Sequence, residues 1–129
     1  GPATITFDSI RQNVGSSGFS LSSGELTIGA AGTYMIMYQV TAGMTNSTRT
    51  EANQVLQRAP RFGSFSDVAG SLGGTYARTD LHDSTTASAS VIYTVTAFDV
   101  FRVRMERVGG SGNMQAIANG CRLNVFRIA

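Results

Sequence analysis

Lysine is absent from this chain: all ten basic residues are arginine, set against eight acidic residues for a formal charge of +2. That bias fits a GC-rich genome and carries no mechanism. The arginines are also dispersed. The nearest approach to a cluster is Arg102, Arg104 and Arg107, and Glu106 sits among them. Nucleic-acid binders concentrate basic charge in a patch and add stacking aromatics, so no nucleic-acid partner is expected. Cys121 is the only cysteine, which excludes an internal disulfide framework and favours a cytosolically assembled protein. It precedes an apolar strand, where a buried thiol is the simplest role. No run approaches the roughly 18 apolar residues of a membrane span, and no signal-peptide pattern opens the chain. No membrane insertion is expected. Gly1-Pro2 reads as an expression-tag scar, and residues 3–129 as one domain of a longer protein that ends naturally at Ala129.

What is present is strand. A hydrophobic fraction of 42% with only 14% charged residues describes a folded chain and argues against disorder. Short β-prone segments run over Thr4 to Phe7, Phe19 to Leu21 and Leu26 to Ile28, with Ser22-Ser23-Gly24 as a turn. A long strand follows Gly32, then one over Thr48 to Arg58. Pro60 to Gly74 reads as mostly loop around one short strand. Thr75 to Leu81 is strand, and the polar run His82 to Thr86 a turn. Ser88 to Ala97 alternates, Phe98-Asp99 makes a tight corner, and Val100 to Val108 alternates again. After a glycine-rich turn, Met114 to Ala118 and Arg122 to Ile128 read as two last strands. No segment sustains helical spacing with a cap. The fold class is all-β, an antiparallel sandwich or barrel.

The long strand poses a question. Tyr34, Ile36, Tyr38, Val40 and Ala42 share one face, yet Met35 and Met37 stand on the other beside Gln39 and Thr41. A surface strand of a two-layer sandwich normally shows one polar face. The last strand behaves alike, with Leu123 and Val125 on one side and Phe126 and Ile128 on the other.

The order of these elements resembles the C1q-like globular head, a jelly roll shared with the tumour-necrosis-factor family. Gly32, Tyr34, Ile36, Tyr38 and Val40 fill that family's Gly-x-Tyr-x-Phe/Ile-x-Tyr-x-Val strand, after a lead-in read here as Leu26-Thr27-Ile28. Phe98-Asp99-Val100-Phe101 matches its Gly-Asp-x-Val corner with Phe98 in place of the usual glycine, and Leu123 to Ile128 matches its closing strand. Similar finishes end collagen-like bacterial surface proteins and phage fibre or virion proteins. The resemblance implies a two-sheet antiparallel jelly roll forming a homotrimer, in which an inner sheet meets its own core on one side and a neighbour on the other. Tyr34, Met35, Met37, Tyr38, Phe101, Leu123, Phe126 and Ile128 are then the expected trimer-interface or core residues. The alternative is a thick sandwich covered by its own loops, which are too short to cover a whole sheet.

Chemistry has little to work with. His82 is the only histidine, and the acidic neighbours in its polar turn favour its charged form over a free base. A triad, a Cys121 nucleophile and a zinc site all lack partners. Glu51 and Glu106 are the only mid-strand carboxylates for a glycosidase pair. No enzyme and no cofactor are expected. Calcium is the one metal worth weighing, with Asp80 and Asp83 as weak candidates and Asp67 or Asp99 as further donors. Some C1q-like heads bind it. Asp-rich turns are more often plain turns.

Recognition is expected in loops at one end of the jelly roll, at Asn46, Arg49, Arg61, Arg107 and Asn113, whose side chains suit sugar hydroxyls. The function so expected is a trimeric head on a virion fibre or capsid, or on a bacterial cell or spore surface. It would bind a bacterial surface glycan or protein receptor. The alternatives are a purely structural trimerisation or decoration domain and, less favoured, a secreted signalling ligand.

Overall fold

A computed structural model describes residues 2–7, 18–44, 48–78 and 84–129. Their strands are β1 Ala3–Thr4, β2 Phe19–Ser22, β3 Glu25–Ile28, β4 Gly32–Met44, β5 Thr50–Ala59, β6 Ser66–Asp67, β7 Gly73–Ala77, β8 Ser84–Val95, β9 Asp99–Gly110 and β10 Met114–Arg127. They form two antiparallel sheets. The larger has seven strands in the order β2-β3-β9-β5-β6, with β1 also on β9 and β7 also on β5; the smaller is β10-β4-β8. The chain crosses between the layers from β3 to β4, β4 to β5, β7 to β8, β8 to β9 and β9 to β10, which makes the sandwich a jelly roll.

Period-two alternation explains the layering. Tyr34, Ile36, Tyr38, Val40 and Ala42 of β4 point inward and are buried, as are Phe101, Val103 and Met105 of β9 and Ala52 and Leu56 of β5. Tyr93 meets Phe101 edge-on at 5.5 Å between ring centroids. Tyr38 crosses the core: its hydroxyl shares its one proton between the carbonyls of Gln54 (3.0 Å) and Ser71 (2.6 Å) in the opposite layer. Burial pushes its pKa up to about 12, against a backbone hydrogen bond at Gly73 that lowers it.

Turn chemistry sets the hairpin between β2 and β3. Ser23 and Gly24 take φ of 52° and 78°, the two left-handed positions of a tight two-residue hairpin. A Cβ on Gly24 would meet the Ile5 carbonyl at 2.5 Å.

Four segments differ from the sequence reading. The first strand stops at Thr4, although the Ile5 N–H still bonds Val103 O at 2.8 Å. Ser84, Thr85 and Thr86, read as turn, are strand paired with Gly43, Ala42 and Thr41; Ser84 and Thr86 are exposed, while Thr85 stands on the side of Ala42 and Ala87. Asp99 and residues 109–110 belong to β9. The two last strands are one, β10, whose pairing with β4 shifts between Ala116 and Cys121. Residues 117–120 bulge opposite Thr41, with Asn119 at φ 65°, so Asn119-Gly120 makes a bulge where the sequence reading separated two strands.

Candidate assembly surface and loop ends

The outward face of β10-β4-β8 divides into an apolar end and a polar end. Cross-strand register sets Phe126, Met35 and Ile92 in one row across the three strands. Phe126 is 57% exposed, Ile92 65% and Ile128 54%. The next row is Asn124, Met37 and Ser90, and the one after it Arg122, Gln39 and Ser88. Arg122 donates to Gln39 Oε1, and Thr41 and Thr86 share a hydroxyl hydrogen bond of 2.8 Å. Apolar chains therefore gather beside the β3–β4 turn, and hydrogen-bonding chains toward the far end. The face carries no acidic side chain, and Arg122 is its one charge in these rows.

Of the expected interface or core residues, Tyr34, Tyr38 and Phe101 lie in the core, and Leu123 packs against it. Met35, Met37, Phe126 and Ile128 belong to the outward side. Ile92 was missed by sequence reasoning. Its signal was available: Val91 and Tyr93 face the core, so Ile92 between them must face out.

The expected recognition residues do not form one group. Arg49, Arg107 and Asn113 stand at the β4–β5 and β9–β10 end, where Arg49 O accepts from Ser111 N (3.1 Å) and Gly112 N (3.2 Å). Arg49 pairs with Glu51 at 2.9 Å, and Arg107 Nη1 donates to Gly112 O at 3.1 Å. A shallow groove of about 300 Å³ runs there between Thr50, Met105, Arg107, Asn113 and Met114. Asn46 lies outside the described residues. Arg61 is at the opposite end of β5, roughly 30 Å away for a ten-residue strand. Strand direction separates it from the others: Arg49 precedes β5 and Arg61 follows it.

At that second end the β8–β9 corner is held by Asp99, which is fully buried. Its carboxylate accepts from Arg58 Nη2 and from the Thr96 N–H, each at 2.8 Å. Hydrogen bonding to Asp99 raises the Arg58 pKa, against burial. Phe98 takes φ 65°, the left-handed conformation that a glycine would occupy without strain, and its N–H bonds Ile28 O at 2.8 Å. Phe62, 95% exposed, is left-handed too, at φ 63°. Arg61 lies over both rings, its guanidinium carbon 4.8 Å from the Phe62 centroid and 4.5 Å from that of Phe98.

Asp80, Asp83 and His82 lie outside the described residues. The further donors weighed for calcium are engaged: Asp99 with Arg58, and Asp67 with Gln57 Nε2 at 2.8 Å. Among the described residues no group of three or more His, Cys, Asp or Glu could hold a metal ion. Cys121 is half-buried, its thiol 3.8 Å from the Thr41 and Ile117 carbonyls. Glu51 is taken by Arg49, while Glu106 stands exposed on the far sheet.

No family model matches the chain, and no curated protein matches it. Solved structures do. Eiger TNF from S. frugiperda aligns over 86% of this chain and 69% of its own, at a TM-score of 0.64 and 11% identity. Murine APRIL at pH 5.0 aligns over 92% of this chain and 82% of its own, at a TM-score of 0.68 and 12% identity. The fold is a tumour-necrosis-factor-like jelly roll. Murine APRIL at pH 8.5 gives the same picture, at a TM-score of 0.63 and 14% identity over 92% of this chain and 80% of its own. At such identities the likeness is one of fold. Within this jelly roll, the glycine-like backbone of Phe98 sits at the corner where the sequence resemblance places a glycine.

Proposed function

We propose that this domain is a non-enzymatic homotrimeric head, carried on a virion or a bacterial cell surface, that presents its loop ends to a surface receptor. The observation that carries the assembly is the outward row Phe126, Met35 and Ile92, with Ile128 beside it. A solvated sheet face does not need such side chains, and contiguous exposed apolar surface marks an interface. Burying each contributes on the order of 1.5 to 3 kcal/mol, so three copies closing on this face offset the entropy lost in association. The jelly-roll fold supports the reading, because the family it resembles assembles through its inner sheet. Arg122 and Gln39 then keep the polar end of the contact hydrogen-bonded.

Sedimentation velocity of the wild type and of Phe126→Glu tests it. A trimer that the substitution reduces to a folded monomer is the expected result. A wild type that sediments as a monomer would reject the assembly. Receptor binding is tested separately, because a monomeric variant that keeps its loops keeps any site built within one protomer.

A further inference from the structure

The end of the sandwich formed by residues 29–31, 60–65 and 96–98 holds an arrangement outside the Phe126, Met35 and Ile92 row. Arg61 lies over the rings of Phe62 and Phe98, its guanidinium carbon 4.8 and 4.5 Å from their centroids. Both phenylalanines occupy left-handed backbone, which bulky L-residues rarely adopt. Phe62 is almost wholly in solvent, so packing does not explain its ring. Strain held at exposed aromatic residues points toward function more than stability. The turn that presents them is fixed by the Gly63 N–H to Pro60 O bond of 2.8 Å, and Asp99 anchors the corner beneath Phe98.

A guanidinium set against aromatic rings keeps its in-plane N–H groups for hydrogen bonding. Among the described residues Arg61 has no ion pair, whereas Arg49 and Arg58 each have one. The loops 29–31, 60–65 and 96–98 contain no Asp or Glu. Asp99, the acidic residue next to Phe98, is buried and already held by Arg58 and the Thr96 N–H, so the Arg61 edge is complementary to an incoming carboxylate, which a guanidinium binds in a bidentate manner. Arg102 and Arg127 reach the same loops but are engaged, Arg102 with Gln57 Oε1 and Arg127 with Ala31 O, so the clip offers one guanidinium edge, where a phosphate would draw on several cations. The Phe62 ring beside it offers a flat apolar face for the C–H surface of a pyranose.

We infer that the Phe62–Arg61–Phe98 clip binds a carboxylate-bearing sugar of an acidic glycan. This deepens the receptor-binding reading above and moves its site to the end opposite Arg49, Arg107 and Asn113. The Arg61 edge pairs with the carboxylate, and Phe62 stacks on the ring.

The test is biolayer interferometry of the protein against polygalacturonate, with polyphosphate, polyglutamate and neutral dextran as separate arms and native mass recorded for each variant. The proposal expects binding to polygalacturonate above the other three. Arg61→Ala and Phe62→Ala should weaken it about tenfold or more, and Arg61→Lys should do nearly the same, because lysine keeps the charge and loses the planar fork. Phe98→Gly suits the left-handed backbone, so it should keep the melting temperature within a few degrees and still weaken binding. Absence of polygalacturonate binding overturns the proposal. So does equal binding of polyphosphate or polyglutamate, or an Arg61→Lys variant that binds like the wild type. A changed native mass in Phe62→Ala would make the clip a contact between copies and overturn it also. A wild-type monomer that binds polygalacturonate through Arg61 upholds the clip while rejecting the trimer.

Discussion

The outward faces of the two sheets are built from different residues. On the seven-stranded sheet, Arg102, Arg104 and Glu106 of β9 stand beside Gln57, Val55 and Asn53 of β5. Arg102 Nε donates to Gln57 Oε1 at 2.9 Å and its guanidinium lies 3.7 Å from the Phe65 centroid. Burial, and then the neighbouring Arg104 charge, lower its pKa. On the three-stranded sheet the same side carries Met35, Met37, Ile92 and Phe126, with Arg122 as its one charge. Both sheets bury their inner faces against one core, so the contrast concerns what each outer face meets. Charges and amides suit water. Methionine, isoleucine and phenylalanine in one row suit a partner.

The largest expected effect comes from breaking that contrast. A carboxylate at Met35 or Ile92 would have to be desolvated in the contact, so Met35→Glu and Ile92→Glu should abolish assembly at micromolar concentration. Val55→Glu, on the opposite outer face, should leave the native mass unchanged. Sizing chromatography of the three variants reads both halves.

The inner faces should respond in the opposite sense, through stability. Asp99→Ala leaves Arg58 partly buried and unpaired and should cost about 3 kcal/mol in urea unfolding. Tyr38 gives a pH signature. Its folded pKa of about 12 lies above the value near 10 of a free tyrosine, so its contribution is complete below about pH 10 and is lost as pH rises toward 12. Stability should fall by roughly 2 kcal/mol over that interval. Tyr38→Phe should flatten the fall and lower neutral-pH stability by about 1 kcal/mol, since two carbonyls lose a donor. The smallest effect belongs to the solvated face: Glu106→Gln should change stability by less than about 0.5 kcal/mol.

Alternation made β4, β8 and β9 readable in the sequence, because one face of each is a run of core residues. It also showed that β4 and β10 were apolar on both sides. It failed where polarity had two meanings. Ser84 to Thr86 looked like a turn because Ser and Thr at a strand end share their composition with turns. Asn119-Gly120 looked like a break between strands, since the same left-handed preference serves a bulge. The recognition residues were grouped by loop composition alone, and only the strand path shows that Arg61 and Arg49 cap opposite ends of β5. The Arg61 clip needed Phe98 as well, which is distant in sequence and sits on a backbone that alignment by pattern would give to glycine.

In the trimer proposed above, further copies of this chain cover the apolar outer face of β10-β4-β8. Light scattering behind a sizing column, carried to nanomolar loading, tests it most directly. A mass three times 13.6 kDa that persists on dilution is the predicted result. A single-chain mass at every concentration would contradict it.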